Sequence, residues 1–141
     1  FCGRSNTGTL ISIEQLDTEA DTNGRATRWN LISVKPNVLS GRYMPLVVPI
    51  NATEILIMGG CYRREYKSDV YVFNTATQEV RQDKKSLKLR DSEDEFKFDC
   101  LYNQSYVTRK GEIIALVYNS NREWHLISNR YGANTVSKLF T

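Results

Sequence analysis

Histidine and cysteine are scarce in this chain of 141 residues, and each scarcity removes a class of chemistry. His125 is the sole histidine, so no multi-histidine metal centre can be assembled from this sequence. The three cysteines, Cys2, Cys61 and Cys100, are odd in number and form no C-x-x-C pair. That spacing points to neither a zinc site nor a disulfide framework, and free buried thiols are expected. No run of about 18 apolar residues is present, so no membrane-spanning segment is expected. A strong excess of one charge is missing too: 19 basic and 16 acidic side chains leave a net charge of +3. A mild, dispersed excess aids solubility and does not make a nucleic-acid footprint.

Other motifs are lacking. There is no Gly-x-x-x-x-Gly-Lys-Ser/Thr phosphate loop. The acidic residues Asp91, Glu93, Asp94 and Glu95 do not have the spacing of a calcium loop. No nucleophile motif accompanies His125, which sits beside Trp124 in a strand-like segment, so a structural role is expected for it. The sequence thus predicts no catalytic residue, no metal site, no cofactor and no small-molecule substrate. No basic segment followed by an apolar core opens the chain, which starts at Phe1 in what reads as a structured element. A segment of a longer polypeptide is the expectation.

What is present favours strands. Aromatic residues make up 11% of the chain and hydrophobic residues 40%, with many Val, Ile and Thr. The clearest stretch is 53–81. Glu54-Ile55-Leu56-Ile57-Met58 is a short apolar run closed by Gly59-Gly60, the pattern of a strand buried on both faces. A charged loop follows: Arg63, Arg64, Glu65, Tyr66 and Lys67. Then Val70-Tyr71-Val72-Phe73 alternates, Asn74-Thr75-Ala76-Thr77 turns, and Gln78-Glu79-Val80-Arg81 makes a last strand. Ahead of them, Met44-Pro45-Leu46-Val47-Val48 reads as a first strand, joined by the hairpin Pro49-Ile50-Asn51-Ala52. Four short strands in series are the unit of a propeller blade.

A repeat should accompany such a unit, since one blade cannot cover its own faces. Residues 111–118 align with residues 53–60 at an offset of 58. At that offset Gly59-Gly60 becomes Val117-Tyr118, and Arg64-Glu65-Tyr66 becomes Arg122-Glu123-Trp124. Residues 102–107, 125–127 and 135–139 supply the other strands of this divergent copy. Upstream, residues 9–13 and 28–32 resemble a third and a fourth strand separated by a long polar loop, with Trp29 on the fourth. Phe1-Cys2-Gly3 reads as the tail of a second strand. The polar stretch 81–99 reads as a solvated connection between units. A sandwich of about ten short strands is the rival architecture.

At these residues the sequence resembles the Kelch family. Its marks are a Gly-Gly pair closing the second strand, here Gly59-Gly60; a Tyr on an alternating third strand, here Tyr71; and a Trp on the fourth, here Trp29 of the preceding unit. Val80 stands where the complete unit would carry its Trp. The resemblance implies an all-β, partial Kelch-type β-propeller of four-stranded antiparallel blades. Residues 1–34 would be the C-terminal part of one blade, 35–82 a complete blade, and 83–141 a linker with a divergent blade. It also implies that Tyr71 and Trp29 are buried fillers between blades, each costing about 3–5 kcal/mol on truncation to Ala.

Kelch propellers serve as adaptors and scaffolds, so the resemblance implies a non-catalytic protein-binding module within a larger assembly, cytoplasmic or cytoskeletal, cilia included. Residues 63–67 are the candidate partner-binding loop, because loops on a rigid scaffold commonly carry binding. Copper oxidases also use a Kelch-like propeller, with Tyr and His at the metal, and the single histidine argues against that here. An extracellular module or an enzyme whose site lies in other blades is the alternative. Its support is two glycan-acceptor triplets, Asn51-Ala52-Thr53 and Asn103-Gln104-Ser105.

Overall fold

The structure, a computed structural model, describes residues 3–5, 8–10, 12–20, 26–34, 38–101 and 104–140. It is all-β. Two ribbons open the chain. Strand β1 (Gly3–Ser5) pairs with β2 (Gly8–Leu10), and β3 (Ile13–Ala20) pairs with β4 (Ala26–Ile32), both antiparallel. The expected third strand at residues 9–13 therefore ends where β3 begins. The described parts of the long polar loop expected between the strands, residues 17–20 and 26–27, are strand. Thr18, Thr27 and Trp29 lie on these strands, and residues of that kind extend a ribbon readily. Phe1, Cys2, Asn23 and Gly24 lie outside the described residues.

The next unit follows the sequence closely. Strands β5 (Leu46–Pro49) and β6 (Glu54–Met58) form a hairpin. The short strands β7 (Cys61–Tyr62) and β8 (Glu65–Tyr66) form a second, separate one. Strands β9 (Val70–Asn74) and β10 (Glu79–Lys84) complete a four-stranded antiparallel sheet of order β10-β9-β6-β5. The turn between β9 and β10 is built by Asn74, whose side-chain oxygen accepts the backbone N–H groups of Ala76 and Thr77.

The last unit is a second meander. Strands β11 (Lys88–Leu89), β12 (Phe98–Asp99), β13 (Ser105–Val107), β14 (Glu112–Asn119), β15 (Trp124–Arg130) and β16 (Thr135–Phe140) make one sheet. Its order is β11-β16-β15-β14-β12, with β13 also on β14. Strands β12 and β13 act as one interrupted inner strand. The short β11 runs parallel along the outer edge at β16.

The core sits between the sheets. Leu46, Val48, Leu56, Met58, Val70 and Val72 project from one face of the first sheet into Ile113, Ala115, Val117, Ile127 and Val136 of the second. The opposite face of the first sheet, through Ile57, Tyr71 and Phe73, meets Ile13 and Ile32 of the β3–β4 ribbon and Leu39. Each fully buried aliphatic or aromatic side chain contributes about 1.5–3 kcal/mol. Three β-layers are thus stacked face on face, with the complete sheet in the middle, as blades are in a partial propeller.

Two expectations need correction. The polar stretch 81–99 is not a solvated connection. Leu87, Phe96 and Phe98 are buried in the core between the sheets, and Leu87 N–H bonds the Ser68 carbonyl. The apolar residues are spaced among charges that face outward, which hides the pattern in an averaged composition. Trp29 is not a buried filler: it is 64% exposed. In the β3–β4 ladder Ile13 faces Ile32 and Leu16 faces Trp29, so alternation puts Ile13 and Ile32 on the core face and Leu16, Trp29 and Leu31 on the outer one. Among the described residues no helix is long and apolar enough to cross a membrane.

Candidate functional site

Gly59 and Gly60 end β6 and turn the chain into the β7–β8 hairpin. Both have positive φ, 61° and 94°. A Cβ on Gly59 would lie 2.6 Å from the Phe98 carbonyl oxygen, and one on Gly60 would lie 3.0 Å from that of Tyr43. The pair is needed both for backbone conformation and for close approach. The Gly60 N–H donates to the Phe98 carbonyl at 2.8 Å, so the glycines couple the two sheets directly.

The hairpin that follows carries the residues expected to bind a partner. Its base is fixed by reciprocal backbone bonds between Tyr43 and Cys61, both 2.9 Å, and by Lys67 N–H to the Gly60 carbonyl. Its tip is a two-residue turn in which Arg63 and Arg64 both have positive φ, 49° and 69°. Such a turn favours Asn-Gly, because a Cβ is disfavoured in the left-handed region. Arg63 lies over the Tyr62 ring, 5.2 Å from its centre, and Arg63 and Arg64 are both exposed. Glu65 bonds Lys67 at 2.9 Å, and this contact holds its carboxyl below the ordinary carboxylate range. The structure therefore brings Arg63, Arg64, Glu65, Tyr66 and Lys67 together on one tight hairpin, where the sequence suggested an irregular loop.

Beneath the hairpin lies a polar network that no local sequence pattern marks. Arg42 is fully buried. Its guanidinium donates to both Asp69 oxygens at 2.6 and 3.1 Å, to the Gly59 carbonyl at 2.9 Å and to Ser40. It also lies 5.0 Å from the centre of the Tyr71 ring. The Tyr71 hydroxyl donates to Asp69 at 3.1 Å, and burial, then the Asp69 charge, raises its pKa. Tyr71 itself is 5% exposed, packed between the middle sheet and the ribbon. A bidentate, charge-assisted pair with every donor satisfied is the form in which a buried arginine is tolerated.

Asp99 is the opposite case. It is 3% exposed, and its Oδ1 has no hydrogen-bond partner. Burial pushes its pKa up to about 6. The alternation Phe96, Phe98, Cys100 was a readable signal for the short strand at Phe98–Asp99. Cys61 and Cys100 are buried free thiols, and burial pushes the Cys100 thiol up to about 11. Cys2 and Asn103 lie outside the described residues.

His125 is buried in the second sheet at 1% exposure. The Asn119 side-chain oxygen accepts backbone N–H groups of Asn121 and Glu123, so its amide nitrogen must point the other way, 2.8 Å from His125 Nε2. That nitrogen donates and Nε2 accepts, the arrangement of a neutral imidazole, with the Glu123 carboxylate 3.3 Å from the same Nε2. Burial, then the Lys138 charge, lowers the His125 pKa, consistent with that form. Among the described residues no group of three or more His, Cys, Asp or Glu is placed to hold a metal ion.

Exposed apolar side chains mark both ends of the stack. On the outer face of the second sheet, Tyr106, Trp124, Leu126 and Phe140 are exposed. Tyr118 joins them, 5.2 Å from Trp124 and 6.4 Å from Tyr66 of the hairpin, ring centre to ring centre. Asn51 sits exposed in the β5–β6 turn, its side-chain oxygen accepting the N–H groups of Thr53 and Glu54. The fold and this surface define an all-β stack of antiparallel sheets with a rigid hairpin at the junction between them. Comparison with protein-family models and with curated proteins gave no match.

Proposed function

We propose that this chain is a non-catalytic protein-binding or scaffolding module, a segment of a Kelch-type propeller within a larger assembly in the cytoplasm or on the cytoskeleton. The observation that carries the reading is the β7–β8 hairpin: two exposed arginines held in a left-handed turn on a base stitched to both sheets. A rigid scaffold presenting such a hairpin loses little conformational entropy on binding. Tyr66, Tyr118 and Trp124 continue the surface with aromatic groups of the kind enriched at binding hot spots.

Cross-linking of the native protein in cells, read by mass spectrometry, tests this. Cross-links from Lys67 to one partner, lost in Arg63→Glu/Arg64→Glu, are expected. A hairpin that stays free of contacts in every assembly would refute it. The exposure of Asn51 favours a second reading, an extracellular module of the same fold. A mass shift of the native protein on glycosidase treatment, absent in Asn51→Gln, would move it outside the cell.

A further inference from the structure

A cleft at one end of the second sheet gathers positive charge that the chain leaves unused. It has a volume of about 280 Å³ and is lined by Arg90, Lys110, Arg130, Glu112, Ser128 and Asn129, among others. The three cations come from three separate segments. Arg90 follows β11, where its N–H bonds the Val136 carbonyl at 2.8 Å. Lys110 lies in the turn between β13 and β14, closed by Gly111 N–H to the Thr108 carbonyl at 2.9 Å. Arg130 ends β15, and its carbonyl accepts the Ala133 N–H at 2.8 Å. Each backbone position is therefore fixed by the sheet or by a closed turn.

Several cations elsewhere on these two sheets are paired with a carboxylate. Arg42 pairs with Asp69, Lys67 with Glu65, Arg81 with Glu54 and Asp83, Lys88 with Glu93, and Lys97 with Glu95. The side chains of Arg90, Lys110 and Arg130 enter no ion pair among the described residues. Glu112 stands directly opposite Arg130 in the β14–β15 ladder, yet the two form no ion pair either. Three cations against one carboxylate leave the cleft positive. Behind them Ser128 and Asn129 are buried, and Asn129 is held by its amide nitrogen donating to the Thr135 carbonyl at 2.9 Å.

We propose that this cleft binds a phosphoryl group carried by a phosphorylated segment of a partner protein. A phosphoryl group offers three terminal oxygens and close to two negative charges, which suit three cationic side chains lining one net positive cleft. The cleft's volume fits one such group and its water, and is small for a drug-sized ligand. The partner source rests on the protein-binding role proposed above; the anion chemistry of the cleft does not.

Amide chemical shifts of the 141-residue chain test it, with inorganic phosphate, acetate and two peptides as probes at constant ionic strength. The peptides share one sequence, with serine in one and phosphoserine in the other. Expected are saturable shifts of Ser128, Asn129 and Arg130 with phosphate, weaker or none with acetate, and tighter binding of the phosphoserine peptide than of phosphate. Arg130→Gln and Lys110→Gln should each weaken phosphate binding about fivefold or more, while Arg122→Gln, in the β14–β15 turn at the opposite end of the sheet, leaves it unchanged. Lys110 is in an exposed turn, so its variant carries the test if Arg130→Gln does not fold. Non-saturating shifts, equal binding of acetate, or equal weakening by Arg122→Gln overturns the proposal. Binding of phosphate without the phosphoserine peptide, or of phosphatidylserine vesicles in its place, overturns the partner source. Absence of any hairpin cross-link in the unaltered protein, with phosphate binding intact, would count against the scaffold reading alone.

Discussion

Gly59, Gly60 and Gly111 share a positive φ but differ in what surrounds them, which separates two costs of a side chain. A Cβ at Gly111 meets nothing within 4 Å, so Gly111→Ala should lose only the left-handed penalty, about 1 kcal/mol. Gly59→Ala adds a clash with the Phe98 carbonyl, part of the backbone bond between the sheets, and should cost about 3 kcal/mol or more. Gly60→Ala, with contacts of 3.0–3.2 Å, should fall between. Urea denaturation of the three variants checks the order. Asp99 and His125 make opposite demands on pH. The folded Asp99 pKa lies near 6, above the unfolded value, so the native state holds a proton that the unfolded chain has released. Stability is therefore lost as pH rises from about 4 to about 6 and is not regained above. Asp99→Asn should stabilise the protein at pH 7.5, by about 2 kcal/mol, and remove this slope. The His125 pKa is lowered, so its contribution is present above the ordinary histidine pKa of about 6.5 and is lost as pH falls through the folded value. His125→Gln should remove that acid-side loss, read by denaturation between pH 5 and pH 7.5.

At the scale of elements, the β7–β8 hairpin carries strain with no structural return. Replacing Arg63 with Asn and Arg64 with Gly supplies the residues that its turn favours, and should raise stability by about 1 kcal/mol. Thermal denaturation checks this. A variant more stable than the parent but blind to the partner would show that the arginines are kept for contact. The strands of the complete sheet were legible in the sequence because short apolar runs at 46–49 and 54–58 and an alternating one at 70–74 are bounded by turn residues. The hairpin was not, because two arginines are an unusual choice for its turn. Arg42 was hidden for another reason: its partners, Gly59 and Asp69, are 17 and 27 residues away, and no local pattern marks a long-range ion pair. Trp29 lies on a strand, on the face that no layer among the described residues covers. Strand periodicity fixes which residues share a side, and only the neighbouring layer decides which side is covered.

The whole molecule is a stack with two uncovered ends. One bears Leu16, Trp29 and Leu31, the other Tyr106, Trp124, Leu126 and Phe140, with Phe140 74% exposed. Unpaired apolar faces of this kind drive association. The 141-residue chain should self-associate with rising concentration in sedimentation velocity, and Trp124→Ser/Phe140→Ser should shift it toward monomer. A chain that stays monomeric at high concentration would mean the faces cover one another or stay wet. The two sheets also correspond in sense. At the offset of 58, Ile114 and Leu116 of the uncovered face match Leu56 and Met58, which the first sheet buries against the second. Ala115, buried against the first sheet, matches Ile57, buried against the β3–β4 ribbon.

Such a one-way order sets the size of change the protein can absorb. A whole sheet added beyond β16 would leave the junction between Leu56 and Ala115 untouched, so growth by duplication disturbs nothing already packed. Deleting a single residue early in β14 would do the reverse, rotating Ala115 and Val117 outward and turning Leu116 and Tyr118 onto the first sheet. Gains come in units of a blade, and losses of one residue are the dangerous ones.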